Sequence, residues 1–378
     1  MAPLHPAAKQ AYLAALSDGW ADPRRLHTEG RRSQLLLDGA REAVADALRM
    51  RPEAVAFTGS FVSAAHAGVL GTLAGRRRSG ELFVHSAVEH SAILAAGDAH
   101  ARAGGRTVSV AVDTHGVVDA EACAGQVGTD GVAAVAVQFA NGEVGTLQPA
   151  QEVGEACRRA GVPLVMDVSP ALGQVELPDV GDVLLADPQA WGSVPGLGIL
   201  AVRPGTRWRS VQPEDDAVRG DRPGVPGSVN VPAALAAAVS LQQTLADRDR
   251  AWQSRYERIA RLRDQLPTLV PDVETVGHPV RRLPHILTFS ALYVDGEALL
   301  LELDRAGFAV GSGSACTSAT LEPSHVLAAM NVLTQGNVRI GLPATTQEAE
   351  LQAQTERFLD VVGPAVQRVR AQLGTLDL

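Results

Sequence analysis

Three residues of this sequence have side chains and settings that could support chemistry: Cys316, Asp167 and His90. Cys316 lies in the polar run GSGSACTSAT (311–320), where a partner molecule could reach a thiolate. Asp167 directly follows the apolar run VPLVM, and open α/β sheets bind ligands at the carboxyl ends of their strands. Each has a plain structural alternative, namely a small buried thiol for Cys316 and hydrogen-bonded core groups for Asp167 and His90.

A regular alternation of strands and helices must position these residues. Alanine-rich helical stretches such as 63–74, 91–103 and 150–160 separate most of seven short apolar runs that fit buried strands. These runs are AVAFTG, ELFVHS, TVSVAV, VAAVAVQFA, VPLVMDV, DVLLAD and GILAVR. The alternation predicts a mostly parallel sheet covered by helices on both faces.

The carboxyl-terminal part of the chain has a different pattern. Residues 203–230 are rich in Pro, Gly and charge and predict a loop, and 231–266 predict a long helix. Beyond it we expect three strands (ILTFSAL, GFAVGSG and NVRIGL) and helices at 295–305, 323–330 and 346–373. This predicts a small α+β domain made of residues 1–13 and 251–378, beside a large domain at 14–250.

Composition excludes several classes of protein. The 378 residues carry a net charge of −9, which argues against nucleic-acid binding, and no apolar stretch is long enough for a membrane span. We find no signal peptide, and three cysteines (two of them, Cys123 and Cys157, in helical contexts) form neither a disulfide framework nor a zinc motif. A cytoplasmic location is therefore expected. The run Arg76-Arg77-Arg78 ends a predicted helix, where cations suit the helix dipole.

The stretch GSGSACTSATLEPSHVLAAM (311–330) resembles the cysteine loop of the cysteine desulfurases, pyridoxal-phosphate enzymes of the class V aminotransferase fold. VEHSAIL, NGEVGTLQP, VPLVMDVSPALGQ and VDGEALL match the family in order, so the resemblance covers nearly the whole chain. It implies a fold type I pyridoxal-phosphate-transferase-like α/β architecture, with a mostly parallel seven-stranded sheet and a small α+β carboxyl-terminal domain. It also implies family roles for four residues. Cys316 would form the persulfide, His90 would stack on the cofactor ring, and Asp167 would pair with the pyridine nitrogen. Ser228 would contribute its hydroxyl to the cofactor phosphate of the partner subunit.

The sequence departs from the family at its cofactor lysine. The family run Ser-Gly-His-Lys aligns with residues 187–190, Asp-Pro-Gln-Ala, so that Ala190 replaces the lysine, or Gln189 if the alignment shifts by one residue. The only lysine in the sequence is Lys9, on a predicted amino-terminal helix. A Schiff base needs a primary amine, and neither arginine nor alanine supplies one.

Other family positions are also changed. The phosphate-binding serine is replaced by Asp187, and a carboxylate roughly 4 Å from a phosphate would oppose binding by several kcal/mol. Ser60-Phe61-Val62 replaces the Gly-Ala-Thr that cradles the phosphate in the family. Pro170 replaces the glutamine near the ring hydroxyl, and Gly142 replaces an asparagine at the substrate end. The arginine that would bind the substrate carboxylate is replaced by Pro343 or Ala344.

These substitutions predict a cysteine-desulfurase-like protein that has lost pyridoxal-phosphate catalysis, with no covalently bound cofactor. It would act in sulfur transfer, or in iron–sulfur or thiolation assembly, through Cys316 as persulfide acceptor, cluster ligand or scaffold. Two alternatives stay open. The chain could be an active desulfurase that holds pyridoxal phosphate non-covalently through His90, Asp167 and Ser228, or a non-catalytic regulatory partner of an active paralogue. The resemblance implies a homodimer or such a heterodimer, with a sulfur-acceptor or scaffold protein as a further partner; no resident metal is expected.

Overall fold

The protein is described here by a computed structural model, which covers residues 2–212, 223, 228–313, 323–343 and 347–374. Packing divides the chain into two compact units. The larger unit comprises Met1–Val110, Val118–Ala140 and Gln148–Arg248, and the smaller comprises Ala111–Val117, Asn141–Leu147 and Asp249–Leu378. Among the described residues, no helix is long and apolar enough to cross a membrane.

A seven-stranded sheet forms the centre of the larger unit. Its strands are β1 (Val55–Thr58), β2 (Leu82–Ser86), β3 (Arg106–Val110), β4 (Val132–Ala136), β5 (Leu164–Asp167), β6 (Val183–Ala186) and β7 (Gly198–Val202). They lie in the order β1-β7-β6-β5-β4-β2-β3, and only β7 is antiparallel to its neighbours. All seven strands expected from the apolar runs are present, and the mostly parallel seven-stranded sheet is confirmed.

The helices of this unit are α1 (Pro6–Asp18), α2 (Thr28–Leu48), α3 (Phe61–Arg76), α4 (Ser91–Arg102), α5 (Ala120–Val127), α6 (Ala150–Ala160) and the first part of α7 (Val231–Leu269). The central strands are buried along their whole length because helices cover the sheet. Helix α3 approaches the sheet closely at Gly68, where a Cβ would lie 2.7 Å from the Leu185 side chain.

The amino terminus packs within the larger unit. Helix α1 packs on α2, the Ala2 amide donates to the Gln189 carbonyl, and the His5 amide donates to the Gly192 carbonyl at 2.8 Å. Packing therefore places residues 2–13 with the large sheet, whereas the sequence suggested the small domain for 1–13. These two backbone hydrogen bonds tie the segment to the chain that follows β6, and composition gives no sign of them.

The smaller unit has a three-stranded antiparallel sheet in the order β10-β9-β8, made of β8 (Val273–Val276), β9 (Ile286–Ala291) and β10 (Asn337–Gly341). Its helices are the second part of α7, α8 (Gly296–Arg305), α9 (His325–Ala329) and α10 (Glu348–Leu373). The strand expected at GFAVGSG is wrong, because only Gly311 makes a bridge, to Arg339. Next to it the Asn337 side chain, rather than a strand backbone, bonds Ser312 and the Gly313 amide.

Candidate functional site

The carboxyl ends of β5 and β6 bring two carboxyl groups together. Asp167 is the last residue of β5 and is buried, with Oδ1 accepting hydrogen bonds from the Ser169 amide at 2.8 Å and the Ser169 hydroxyl at 2.5 Å. Burial raises the pKa of Asp167 to about 6; the Ser169 hydrogen bonds lower it, and the nearby charge of Asp187 raises it. Asp167 therefore bonds to its own turn, as its structural alternative requires.

Asp187 closes the turn that follows β6. Its Oδ1 accepts from the Gln189 amide at 3.0 Å, and so caps a short 3₁₀ helix (Pro188–Trp191) that includes Ala190. The Asp187 amide donates to the Ser169 hydroxyl oxygen at 2.8 Å, which links this turn to Asp167. Burial raises the pKa of the Asp187 carboxyl, and the Gln189 hydrogen bonds lower it.

A third carboxyl group, Glu89, was missed by the sequence analysis. It is fully buried between β2 and α4, where Oε1 accepts from the Ser86 hydroxyl at 2.6 Å and from the Gln138 amide at 2.9 Å. Burial raises its pKa to about 7, and the charge of Asp167 adds to that rise. The only signal in the sequence was an acidic residue directly before the candidate His90. The burial of Glu89 could not be foreseen, because it depends on the chain after β4.

His90 caps a helix instead of standing free. Its Nδ1 accepts a hydrogen bond from the Ala92 amide at 3.1 Å at the start of α4. The buried Phe61 ring packs on the imidazole edge-to-face, with ring centroids 4.7 Å apart. Both an aromatic contact and one ring nitrogen of His90 are thus engaged within the chain.

The start of α3 is built from the residues at the family's phosphate cradle. Ser60 caps the helix, with its hydroxyl accepting from the Ser63 amide at 3.1 Å, and Phe61 turns into the core. Val62 is 45% exposed. Gly198 allows the Ser60 carbonyl to approach β7, since a Cβ there would lie 2.2 Å from that oxygen.

The remaining candidates are spread over the chain. Ser228 is exposed ahead of α7, Pro170 is half-buried beside Ser169, and Lys9 is exposed on α1. In the smaller unit, the Gly142 carbonyl accepts a hydrogen bond from the Arg339 side chain at 2.8 Å. Pro343 is the last residue of the described segment 323–343. Cys316 and Ala344 lie outside the described residues.

No group of three or more His, Cys, Asp or Glu side chains that could hold a metal ion occurs in the described part of the chain. The two described cysteines, Cys123 and Cys157, are buried and free. Burial raises their pKa values to about 11 and about 12. Thiols of this kind are protonated at neutral pH, as is usual for buried structural cysteines.

Known proteins resemble this chain in sequence along nearly its whole length. The family model for aminotransferase class-V matches residues 2–353. A cysteine desulfurase of Cereibacter sphaeroides is 32% identical over 376 residues, which are 97% of this chain and 94% of that protein. Cysteine desulfurase 2 of Trichormus variabilis is 31% identical over 373 residues, 96% of this chain and 90% of that protein.

Solved structures agree on the fold. A NifS-like protein superposes with a TM-score of 0.84 at 21% identity and covers 95% of this chain and 96% of its own. An apo cysteine desulfurase of Thermococcus onnurineus gives 0.80 at 16% identity, with 97% and 95% covered. Together with the sequence matches, these findings show that the chain belongs to the class-V aminotransferase family, within its cysteine desulfurase branch.

Proposed function

We propose that this protein is a sulfur-transfer member of the cysteine desulfurase family that has lost pyridoxal-phosphate catalysis and acts through Cys316. One observation carries the proposal: the turn at Asp187–Trp191, where the family has its phosphate-binding serine and its lysine, is closed by a carboxylate that caps its own backbone. This turn holds Ala190 in place of an amine and a negative charge in place of a hydroxyl.

The residues at this end of the sheet do not fit pyridoxal phosphate. A Schiff base needs a primary amine, and the chain's only lysine, Lys9, is exposed on α1. The phosphate would meet the Asp187 carboxylate, which repels a dianion. The ring would need the imidazole of His90, which Phe61 already contacts.

Sulfur transfer to Cys316 needs none of these groups. The Cys316 thiolate attacks the outer sulfur of a donor protein's persulfide, the donor's S–S bond breaks, and the donor leaves as a thiolate. Cys316 then carries the persulfide, with no net oxidation or reduction. The same thiolate could serve as one ligand of a shared iron–sulfur cluster or as part of an assembly scaffold. A dimer, formed with itself or with an active paralogue, and a downstream sulfur acceptor belong to this proposal.

A labelling experiment tests the transfer. The purified protein is incubated with an active cysteine desulfurase and sulfur-labelled cysteine, and labelled peptides are identified by mass. We expect label on Cys316 only, because burial keeps Cys123 and Cys157 protonated. The Cys316→Ala variant should take up none, while Cys123→Ala should match the wild type. Equal labelling of the wild type and Cys316→Ala would overturn the proposal.

An active desulfurase with non-covalently held pyridoxal phosphate is the second candidate. The placement of Asp167 at the end of β5 and of His90 at the start of α4 favours it, since both are retained family positions. Sulfide release from cysteine by the purified protein with added cofactor decides between the two. Turnover that is lost in Asp167→Asn would establish the second candidate and exclude the first.

A further inference from the structure

A polar cleft of about 530 Å³ opens in the larger unit at the end of the sheet opposite Asp167 and Asp187. It is lined by the last turns of α3 and α6, the loops that lead into β5 and β6, and the segment after β7. The length of β5 separates it from the candidate site, roughly 10 Å at the usual rise per residue. Four arginines line it: Arg76, Arg158, Arg203 and Arg207.

Arg76 differs from the two arginines that follow it. Arg77 and Arg78 are exposed, whereas the Nε of Arg76 is buried and has no hydrogen-bond partner among the described residues. Burial, and then the positive charge of Arg207, lower the pKa of Arg76. A charged donor without an acceptor costs free energy, and an anion that reaches the guanidinium group of the half-buried Arg76 would relieve that cost.

The fold holds Arg207 beside Arg76. The neighbouring Trp208 donates from Nε1 to the Ala67 carbonyl at 2.9 Å, and the Arg209 amide donates to the Gly71 carbonyl at 3.0 Å. Both carbonyls belong to α3, so the segment after β7 is fastened to that helix.

Two glycines of α3 make this contact possible. A Cβ at Gly75 would lie 2.1 Å from the Arg207 carbonyl oxygen, and one at Gly71 would lie 2.2 Å from the Trp208 Nε1. Neither position could carry a larger side chain without displacing the segment. Glycine at both positions therefore lets the segment that carries Arg207 pack against α3, which carries Arg76.

The acidic residues of the cleft leave it positive. Asp179 pairs with Arg203 at 3.2 Å, and the Asp182 carboxylate accepts from the Leu164 amide at 2.9 Å. The two carboxylates offset two of the four arginine charges. For Arg76 and Arg207, the structure shows no ion pair with any residue that it describes.

We propose that this cleft binds a small phosphorylated metabolite, with its phosphate between the guanidinium groups of Arg76 and Arg207. Guanidinium groups bind phosphate oxygens in a bidentate manner, and two of them side by side match a dianion. The volume lies in the range of small-molecule sites. The ligand would bind away from the candidate site, so this inference stands independently of the proposed function.

Calorimetric titration with inorganic pyrophosphate as the probe tests this at low ionic strength. We expect saturable one-to-one binding by the wild type and about tenfold weaker binding by Arg76→Gln and by Arg207→Gln. The matched control is Arg77→Gln, which removes the same charge from an exposed neighbour and should stay within about twofold of the wild type.

A charge-preserving variant guards against a general effect of net charge. Gly75→Ala keeps every arginine but displaces Arg207, and it should also weaken pyrophosphate binding by about tenfold. Circular dichroism confirms that each variant is folded. No binding by the wild type, equal weakening in Arg77→Gln, or equal competition by chloride at matched ionic strength would each overturn the proposal. Adenosine monophosphate and inorganic phosphate, titrated in parallel, show whether the site extends beyond one phosphate group.

Discussion

The two ends of the large sheet treat charge in opposite ways. At the carboxyl ends of β5 and β6, the charged groups bond to their own turns: Asp167 to Ser169, and Asp187 to Gln189. At the opposite end, Arg76 and Arg207 line one cleft, the charge of Arg207 lowers the pKa of Arg76, and the Arg76 Nε has no acceptor in the described structure. One end is closed on itself, and the other is arranged for an anion.

This difference indicates where the larger unit can bind ligands. A site whose backbone amide donors already bond its own carboxylates offers little to an incoming anion, and a carboxylate repels one. A site with juxtaposed guanidinium groups gains from the same anion. Under the proposed function, the larger unit would bind anions at the cationic cleft rather than at the strand ends that carry Asp167 and Asp187.

The largest expected effect concerns pH and the buried carboxyl groups. Burial raises the folded-state pKa values of Asp167 and Glu89 to about 6 and about 7, above their values of 3.8 and 4.5 in an unfolded chain. The unfolded chain therefore loses these protons first, and stability falls as pH rises from about 4 to about 7, on the order of 3 kcal/mol per carboxyl. Denaturant unfolding across this range measures the fall.

Glu89→Gln should flatten this decline, because an amide keeps the acceptor for Ser86 and Gln138 and has no proton to lose. The exposed Glu42→Gln in α2 is the control and should leave the curve unchanged. A Glu89→Gln curve as steep as that of the wild type would show that this carboxyl group is not the source of the decline.

The next effect concerns the contact that holds Arg207. Gly75→Ala should lower the free energy of unfolding by about 1–3 kcal/mol, because the new Cβ meets backbone 2.1 Å away. Gly39→Ala in α2 is matched, since its Cβ would meet nothing within 4 Å, and it should stabilise the helix by up to about 1 kcal/mol. Equal changes in both variants would mean that the α3 contact is looser than described.

A smaller effect is expected from removing one of the like charges. In phosphate-free buffer at low ionic strength, Arg207→Gln should raise the free energy of unfolding by less than about 1 kcal/mol, since Arg207 is exposed. Added salt should reduce the gain, and pyrophosphate should reverse it by stabilising the wild type alone. Arg78→Gln is the control. A loss of stability in phosphate-free buffer would contradict the repulsion.

The smallest expected effect is none. Ala190→Lys restores an amine at the family position but leaves Asp187 in place, so added pyridoxal phosphate should produce no visible band of a lysine-bound cofactor. The double variant Asp187→Ser/Ala190→Lys removes the repulsion and should bind the cofactor more tightly than Ala190→Lys. A band in the single variant would show that the carboxylate is no barrier.

The sequence predicted the sheet well because most of its strands are buried apolar runs between alanine-rich helices. The β5 run ends at Asp167 and the α4 helix begins after His90, as the pattern indicated. Strand β8 was missed because its residues VETV are short and only partly buried. GFAVGSG was mistaken for a strand because it is an apolar run. Its end bonds to the side chain of Asn337 instead of to a strand backbone, and an apolar run does not reveal that.

The candidate site was predictable only where a residue acts through its position. Asp187 and Ala190 followed from alignment, and Asp187-Pro188 is a usual start of a helical turn, but the hydrogen bond from the Asp187 amide to Ser169 joins two distant segments. Glu89 was missed because its burial comes from Gln138, about fifty residues later in the chain. The position of Arg207 near Arg76 was likewise not predictable. It depends on two glycines of α3 that look like ordinary helix residues in the sequence.

Lys9 has a practical consequence. It is the chain's only lysine and is exposed on α1, so amine-directed reagents can modify only this side chain and the amino terminus. A fluorophore or cross-linker attached through amines therefore has a known stoichiometry and a known address. Borohydride reduction after exposure to pyridoxal phosphate would mark an adventitious surface adduct by the mass of the Lys9 peptide, which separates chance modification from a true cofactor site.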